Sequence, residues 1–343
     1  MPRQVDDMVR TDKGVAEFCK NYEFRTDYIC EVVKRRQCRK ILIQLPEGFL
    51  RCIPFLYKEL SRCVESVEIL FSLNPSHGSC LLDELGSRIS GSDLLVHIGH
   101  VEYPNYTPAI PVLFIPAEYT GVHNLRFERI VDYIRTKNVQ SVLVLTTSQH
   151  AELSRWLVEF LNTKGFRAEY GGIVTGCLVP KIPKDIDITL VVAGGRFHAI
   201  GVALRNLDRA STIVMVDPYT GAIRDVQEDV KKILRIRYWK IAYSREAKTW
   251  VVIDGVYGQH RPSIVDKICQ LIRQRGGTCI KTIALYLDQH VLENLDSEDV
   301  DVFVVASCPR IPIDDLYEFR KPVLTPGEAY MVLTGEERYV YPW

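Results

Sequence analysis

The chain has 343 residues, 47% of them hydrophobic, enough to bury a substantial core and to divide into two or three domains. Its 43 basic and 43 acidic residues cancel, so no global basic field draws it to nucleic acid or an anionic membrane, and a charged partner must be met by a local patch. Residues 1–7 are polar and acidic where a secretion signal would be basic and then apolar, and no apolar run reaches the length of a membrane span, so the chain reads as cytoplasmic, with most of its ten cysteines expected as free thiols.

A helical pattern with Tyr28, Ile29, Val32 and Val33 on one face leads into a first apolar run at residues 41–45. Further strand-like runs follow at 67–73, 94–99 and 112–115, the last closed by Pro116. A helical segment at 127–134 introduces a second set: a strand at 142–145, a helix with Leu153, Trp156, Leu157, Phe160 and Leu161 on one face, and strands at 168–174, 188–194 and 213–216. A longer helix from 226 to about 238, with Val230, Ile233 and Leu234 aligned, opens a third. That set holds a strand at 250–253, a helix carrying Ile264, Ile268, Leu271 and Ile272, and strands at 279–285, 301–307 and 322–326. From first strand to fourth the starts run 41 to 112, 142 to 213 and 250 to 322, separations of 71, 71 and 72 residues. The spacing predicts three similar parallel-sheet α/β domains, residues 1–122, 123–224 and 225–343, arranged around a pseudo-threefold axis.

In open parallel sheets, ligands collect outside the carboxyl ends of the strands. Three cysteines fall there. Cys80 closes the run Asn74-Pro75-Ser76-His77-Gly78-Ser79-Cys80 after the second strand of the first set, and Cys177 closes Thr175-Gly176-Cys177 at the matching place in the second. Cys308, in Ala306-Ser307-Cys308-Pro309-Arg310, follows the third strand of its set instead. Each is preceded by a small residue, Ser79, Gly176 or Ser307, which lets a bulky ligand approach the backbone. One thiol from each repeat would serve three corners of a [4Fe–4S] cluster and leave a fourth iron open. Zinc is the other metal a cysteine set suggests, but a closed zinc site favours four ligands in closely spaced pairs, and a ferredoxin site a tight motif. Neither pattern is present. Cys19, Cys30, Cys38, Cys52, Cys63 and Cys269 lie in or beside helices and Cys279 begins a strand, where cysteine acts as a small hydrophobe.

The motif pieces Gly78-Ser79-Cys80, Leu95-Val96-His97-Ile98-Gly99-His100, Thr175-Gly176-Cys177, Gly194-Gly195-Arg196-Phe197-His198, Asp217-Pro218-Tyr219 and Ser307-Cys308-Pro309-Arg310 resemble those of the enzymes of the first step of diphthamide biosynthesis, the single-subunit archaeal type in particular. The resemblance covers nearly the whole chain. It implies a homodimer of three-domain subunits whose cluster is held by Cys80, Cys177 and Cys308. It also implies transfer of the 3-amino-3-carboxypropyl group of S-adenosylmethionine to C2 of a histidine in translation elongation factor 2, with electrons from a donor the sequence does not identify. Gln259, Arg310, Gly194, Gly195, Arg196, His198 and His100 all fall at strand ends and are the candidate cofactor contacts. Each also has a plainer reading: tight turns for the glycines, surface ion pairs for Arg196 and Arg310, a helix cap for Gln259, and hydrogen-bonded loop residues for the histidines. Glu47 likewise follows a strand and suits a helix N-terminus. The alternatives are a quinolinate synthase, also three-domained with one cluster cysteine per domain, and a non-catalytic partner subunit of a diphthamide complex.

Overall fold

The structure is a computed structural model that describes residues 12–343, so the reading of residues 1–7 lies outside the described residues. In chain order the first part runs α1 (Asp12–Lys20), β1 (Tyr22–Glu23), α2 (Thr26–Arg35), β2 (Lys40–Gln44), α3 (Ile53–Ser61), β3 (Glu68–Ser72), α4 (Glu84–Ser90), β4 (Leu94–Ile98), β5 (Val112–Ile115) and β6 (Glu118–Tyr119). Next come α5 (Phe127–Thr136), β7 (Ser141–Thr146), α6 (Ala151–Thr163), β8 (Arg167–Ile173), β9 (Ile188–Val192), α7 (Phe197–Arg205), β10 (Thr212–Val216) and β11 (Ile223–Asp225). The remainder is α8 (Gln227–Tyr243), β12 (Thr249–Asp254), α9 (Pro262–Gln274), β13 (Thr278–Ile283), α10 (Gln289–Leu295), β14 (Val302–Val305), β15 (Val323–Leu324) and α11 (Pro326–Thr334).

Three sheets result, ordered β3-β2-β4-β5, β11-β10-β9-β7-β8 and β13-β12-β14-β15, and all pairs are parallel except the short β11 against β10. In each, the second strand of the repeat sits at the edge and the first and third are neighbours inside. The central strands are continuous apolar runs because helices cover both faces. Ile41 and Ile43 of β2 pack with Ile29, Val32 and Val33 of α2 and Leu56 and Leu60 of α3. A separate antiparallel ribbon joins β1 to β6, two residues each and too short to show as a sequence pattern.

The chain divides into two compact units, one ending at Val122 and including Ser148–His150, the other holding His123–Thr147 and Ala151–Trp343. The second unit contains two of the sheets and one core that runs through both, including Leu145, Val191 and Val202 with Val252, Val304 and Ala306. Helix α8 continues five residues past the predicted end at 238, because Lys240 and Ile241 are buried on its inner side and hold that last turn against the unit. Among the described residues no helix is long and apolar enough to cross a membrane.

The expectation that most cysteines stay free is corrected. Cys19 pairs with Cys52, Cys30 with Cys63 and Cys269 with Cys279, at Cα separations of 5.7, 6.1 and 5.3 Å. Packing of α1 on the 47–52 turn, of α2 on α3 and of α9 on β13 sets cysteines from facing surfaces within disulfide reach, a tertiary fact with no sequence spacing to announce it. Four thiols remain: Cys38, buried, and the half-buried Cys80, Cys177 and Cys308.

Candidate functional site

In all three sheets the strand order turns between the first and third strands of the repeat, the place where parallel sheets open a crevice at their carboxyl ends. Cys80 leaves β3, Cys177 leaves β8 and Cys308 leaves β14, each at that end. Their donor set suits iron–sulfur ligation, being soft thiols that are neither fully buried nor tied into disulfides. Ser76 Oγ, four residues before Cys80, is buried without a hydrogen-bond partner, so the loop presenting that thiol carries a polar atom still to be satisfied. Among the described residues no three His, Cys, Asp or Glu side chains gather as ligands of a single metal ion, which is a tighter geometry than the separate corners of a cluster.

In the first unit the Cys80 loop is held from its far side. Asp83 caps α4 by accepting from Gly86 N at 2.9 Å, and it accepts from Ser72 Oγ at 2.6 Å and from Asn74 Nδ2 at 3.0 Å, so both ends of the loop meet on one carboxylate. Gln44, at the end of β2, donates to Leu81 O and accepts from Asp83 N. His97 of β4 bonds Gln44 and reaches His100 at the strand tip. Between those histidines Gly99 has φ +100°, and a β-carbon there would lie 2.8 Å from Pro46, so only glycine lets the strand turn under that ring.

The second unit gathers more of the predicted residues. A β-carbon at Gly176 would lie 3.1 Å from the Phe197 ring, which therefore sits directly against the Cys177 loop. The Arg310 guanidinium covers the same ring at 5.3 Å, and His198 follows it at the start of α7. Burial, then the Arg310 charge, pushes His198 down to about 4, so its imidazole is neutral at neutral pH, and its Nδ1 has no hydrogen-bond partner. Gly255 brings Gln259 against Ser307: a β-carbon at position 255 would lie 2.6 Å from Cβ of Gln259 and 2.8 Å from Cβ of Ser307. Gln259 is buried there, beside the residue preceding Cys308. Tyr341 is buried close to both thiols; burial, then Cys308 and Cys177, push its hydroxyl far above the ordinary tyrosine range. The backbone after Cys308 runs through a single π-helical turn, Ile311–Asp315, closed by Leu316 N donating to Ile311 O at 2.7 Å. Arg237 of α8, fully buried against Glu328, donates to Pro312 O at 2.7 Å, and the buried Lys240 donates to Leu316 O at 3.3 Å.

The family model for putative diphthamide synthesis proteins matches residues 45–342. The chain belongs to the diphthamide synthesis protein family. It is 29% identical to 2-(3-amino-3-carboxypropyl)histidine synthase of Pyrococcus horikoshii, covering 93% of each chain. It is 27% identical to subunit 1 of the human enzyme, over 91% of this chain and 72% of that one. A solved structure of Dph2 from Pyrococcus horikoshii with a 4Fe-4S cluster superposes with a TM-score of 0.82 at 27% identity, covering 93% of this chain and 94% of that one.

Within this family member the predicted contacts separate by environment. Arg310 and His198 meet at the Phe197 ring beside the Cys177 loop, and Gln259 lies against Ser307 before Cys308; Arg310 also pairs with Asp314 at 3.6 Å and Asp315 at 3.4 Å, and Arg196 is turned to Asp229 at 3.1 Å, a carboxylate it shares with Arg224. Gly194 is explained by packing, since a β-carbon would lie 2.8 Å from the Tyr219 ring; Gly195, at φ +84°, faces open space. Sequence reasoning missed Tyr341, Phe197, Gln44 and the Arg237–Glu328 pair. Only Glu328 had a readable signal, because Thr325-Pro326-Gly327-Glu328 is a capping box, and α11 begins with both of its hydrogen bonds.

Proposed function

We propose that this chain transfers the 3-amino-3-carboxypropyl group of S-adenosylmethionine to C2 of a histidine in translation elongation factor 2, the first step of diphthamide formation, leaving methylthioadenosine. The observation that carries it is a half-buried thiol at the carboxyl end of each of three parallel sheets, in a chain of the diphthamide synthesis family. Cys80, Cys177 and Cys308 are the cluster ligands in this reading, with a second copy completing a dimer. When bound, a [4Fe–4S] cluster supplies one-electron chemistry at the sulfonium, which lets carbon C2 be alkylated where two-electron displacement would favour a ring nitrogen. The electrons come from an external one-electron donor.

The chain's own residues bind and aim. Arg310 offers a forked donor to the cofactor carboxylate. His198 is held neutral and so does not oppose the sulfonium charge. Gln259 contributes a buried amide beside Cys308, and Gly195 leaves the backbone open to close approach. His100 and Arg196 stand further out in this assignment, as contacts of the protein substrate or the cofactor rim. Phe197 and Tyr341 exclude water from the thiols.

Anaerobic reconstitution tests the proposal. The reduced protein with S-adenosylmethionine and elongation factor should yield methylthioadenosine and a mass gain of one aminocarboxypropyl group on the factor. Cys80→Ala, Cys177→Ala and Cys308→Ala should each abolish both. A variant that keeps full cluster absorbance and activity removes its cysteine from the ligand set, and 5′-deoxyadenosine as the product overturns the assigned bond cleavage.

A further inference from the structure

Gln44 and His97 are Cα partners on neighbouring strands β2 and β4, at the point where the order of the first sheet turns. They are 1% and 0% exposed, positions where a leucine or phenylalanine would fill the space without needing partners. The proposed function gives neither a role, yet their hydrogen bonds are fixed in direction.

Two backbone groups orient the Gln44 amide. Leu81 O only accepts, so Nε2 faces it at 3.0 Å; Asp83 N only donates, so Oε1 faces it at 3.1 Å. Oε1 cannot donate, and His97 Nδ1, 3.0 Å away, must therefore carry a hydrogen. Burial, then the neighbouring His100, hold His97 far below the ordinary histidine range, so the ring is neutral and its Nε2 bears a lone pair. His100 Nδ1, at 3.0 Å from that nitrogen, is then the donor. Donation runs one way, from His100 through His97 into Gln44, and Gln44 grips the backbone at Leu81 and Asp83, the first and third residues after Cys80. Leu82 between them is wholly buried, which pins the intervening turn from the apolar side.

We infer that Gln44 and His97 are positioning residues for the Cys80 loop: together they fix the backbone that aims the Cys80 thiol and tie it to His100 at the strand tip. The inference rests on Cys80 being a cluster ligand for its purpose, but the geometry it predicts is measurable in metal-free protein.

The test compares wild type, His97→Phe and His97→Asn. Phenylalanine keeps the volume and removes both ring nitrogens. Asparagine restores a donor near the Nδ1 position and so rescues the bond to Gln44 while leaving His100 unlinked. In the metal-free full chain, alkylation rates at Cys80, Cys177 and Cys308 are read separately by peptide mass spectrometry, and iron bound after anaerobic reconstitution is measured alongside. His97→Phe should change the Cys80 rate roughly five- to tenfold, the worth of about one hydrogen bond, with Cys177 and Cys308 held within about twofold. Iron binding should fall in parallel, and His97→Asn should return both readings toward wild type. Should His97→Phe not fold, Gln44→Glu keeps the shape and the acceptor but loses the donor to Leu81 O, and the same selective change at Cys80 is expected. An unchanged Cys80 rate, or a common rise at all three cysteines, overturns the inference. Wild type that binds no iron overturns the cluster assignment instead, and leaves the thiol comparison readable.

Discussion

Glu328 stands at the start of α11 with no exposed surface, and four donors meet its two oxygens: Arg237 Nε at 2.7 Å, Arg237 Nη2 at 2.5 Å, Tyr339 Oη at 2.6 Å and Thr325 N at 2.8 Å. Glu328→Gln keeps the shape but turns one acceptor into a donor facing donors, and strips the paired carboxylate from a guanidinium that is itself fully buried. Removing one partner of a buried pair costs about 3–5 kcal/mol, because the remaining charge stays desolvated and unpaired. For a unit of this size that corresponds to a fall of roughly 6–20 °C in its thermal transition. Arg237→Met with Glu328→Leu removes both charges and should recover only part of the loss, since Pro312 O and Val323 O then lose the donor that now lies 2.7 Å from each. Differential scanning calorimetry of the metal-free chain follows this transition. A Glu328→Gln protein that melts within about 2 °C of wild type would refute the reasoning, as it would show the Arg237 charge to be satisfied by carbonyls alone.

Other predictions follow from neighbouring groups. Lys240 is held down to about 8 by burial, then by Arg237, with Glu328 opposing. Above that value and below the unfolded lysine range the unfolded chain binds the extra proton, so stability rises with pH in this window. Wild type should therefore gain on Lys240→Met between pH 8 and 10 in parallel denaturation curves, and a flat difference contradicts it. Gly255→Ala drives a methyl group into Gln259 and Ser307 and should cost about 1–3 kcal/mol by overpacking, with lower iron retention after reconstitution. Arg310→Ala removes a cation beside His198 and should raise the imidazole pKa from about 4, read by NMR titration of the metal-free chain. Denatured without reductant, the metal-free chain should react with alkylating agent at four cysteines, Cys38, Cys80, Cys177 and Cys308, and at the other six only after reduction.

Much of the fold was legible because buried parallel strands are unbroken apolar runs. The stretches around 41–45, 142–145 and 250–253 all became central strands, and the fixed distance to the fourth strand exposed the repeat. Pieces whose cause is tertiary were not legible. The β1–β6 ribbon is two residues deep, β11 is an antiparallel addition of three, and the cysteine pairs come from helix packing. The same division holds at the site. The placement of Cys80, Cys177 and Cys308 at strand carboxyl ends could be read from the repeat, and the placement of Arg310, His198 and Gln259 near strand ends from the same pattern. Tyr341 could not, because residues more than thirty positions from Cys308 and more than a hundred and sixty from Cys177 meet them only through folding. Arg196 and Arg310 both also make the ion pairs of their plainer reading, the first with Asp229 and the second with Asp314 and Asp315.

The loops that carry Cys80, Cys177 and Cys308 do not hang from equivalent supports. β3 and β8, which lead to Cys80 and Cys177, are the outermost strands of their sheets, paired on one side only; β14, which leads to Cys308, is hydrogen-bonded on both. Outer strands open by local fraying at a small fraction of the free energy needed to disrupt an inner one. Amide hydrogens of β14 should therefore outlast those of β3 and β8 in deuterium exchange.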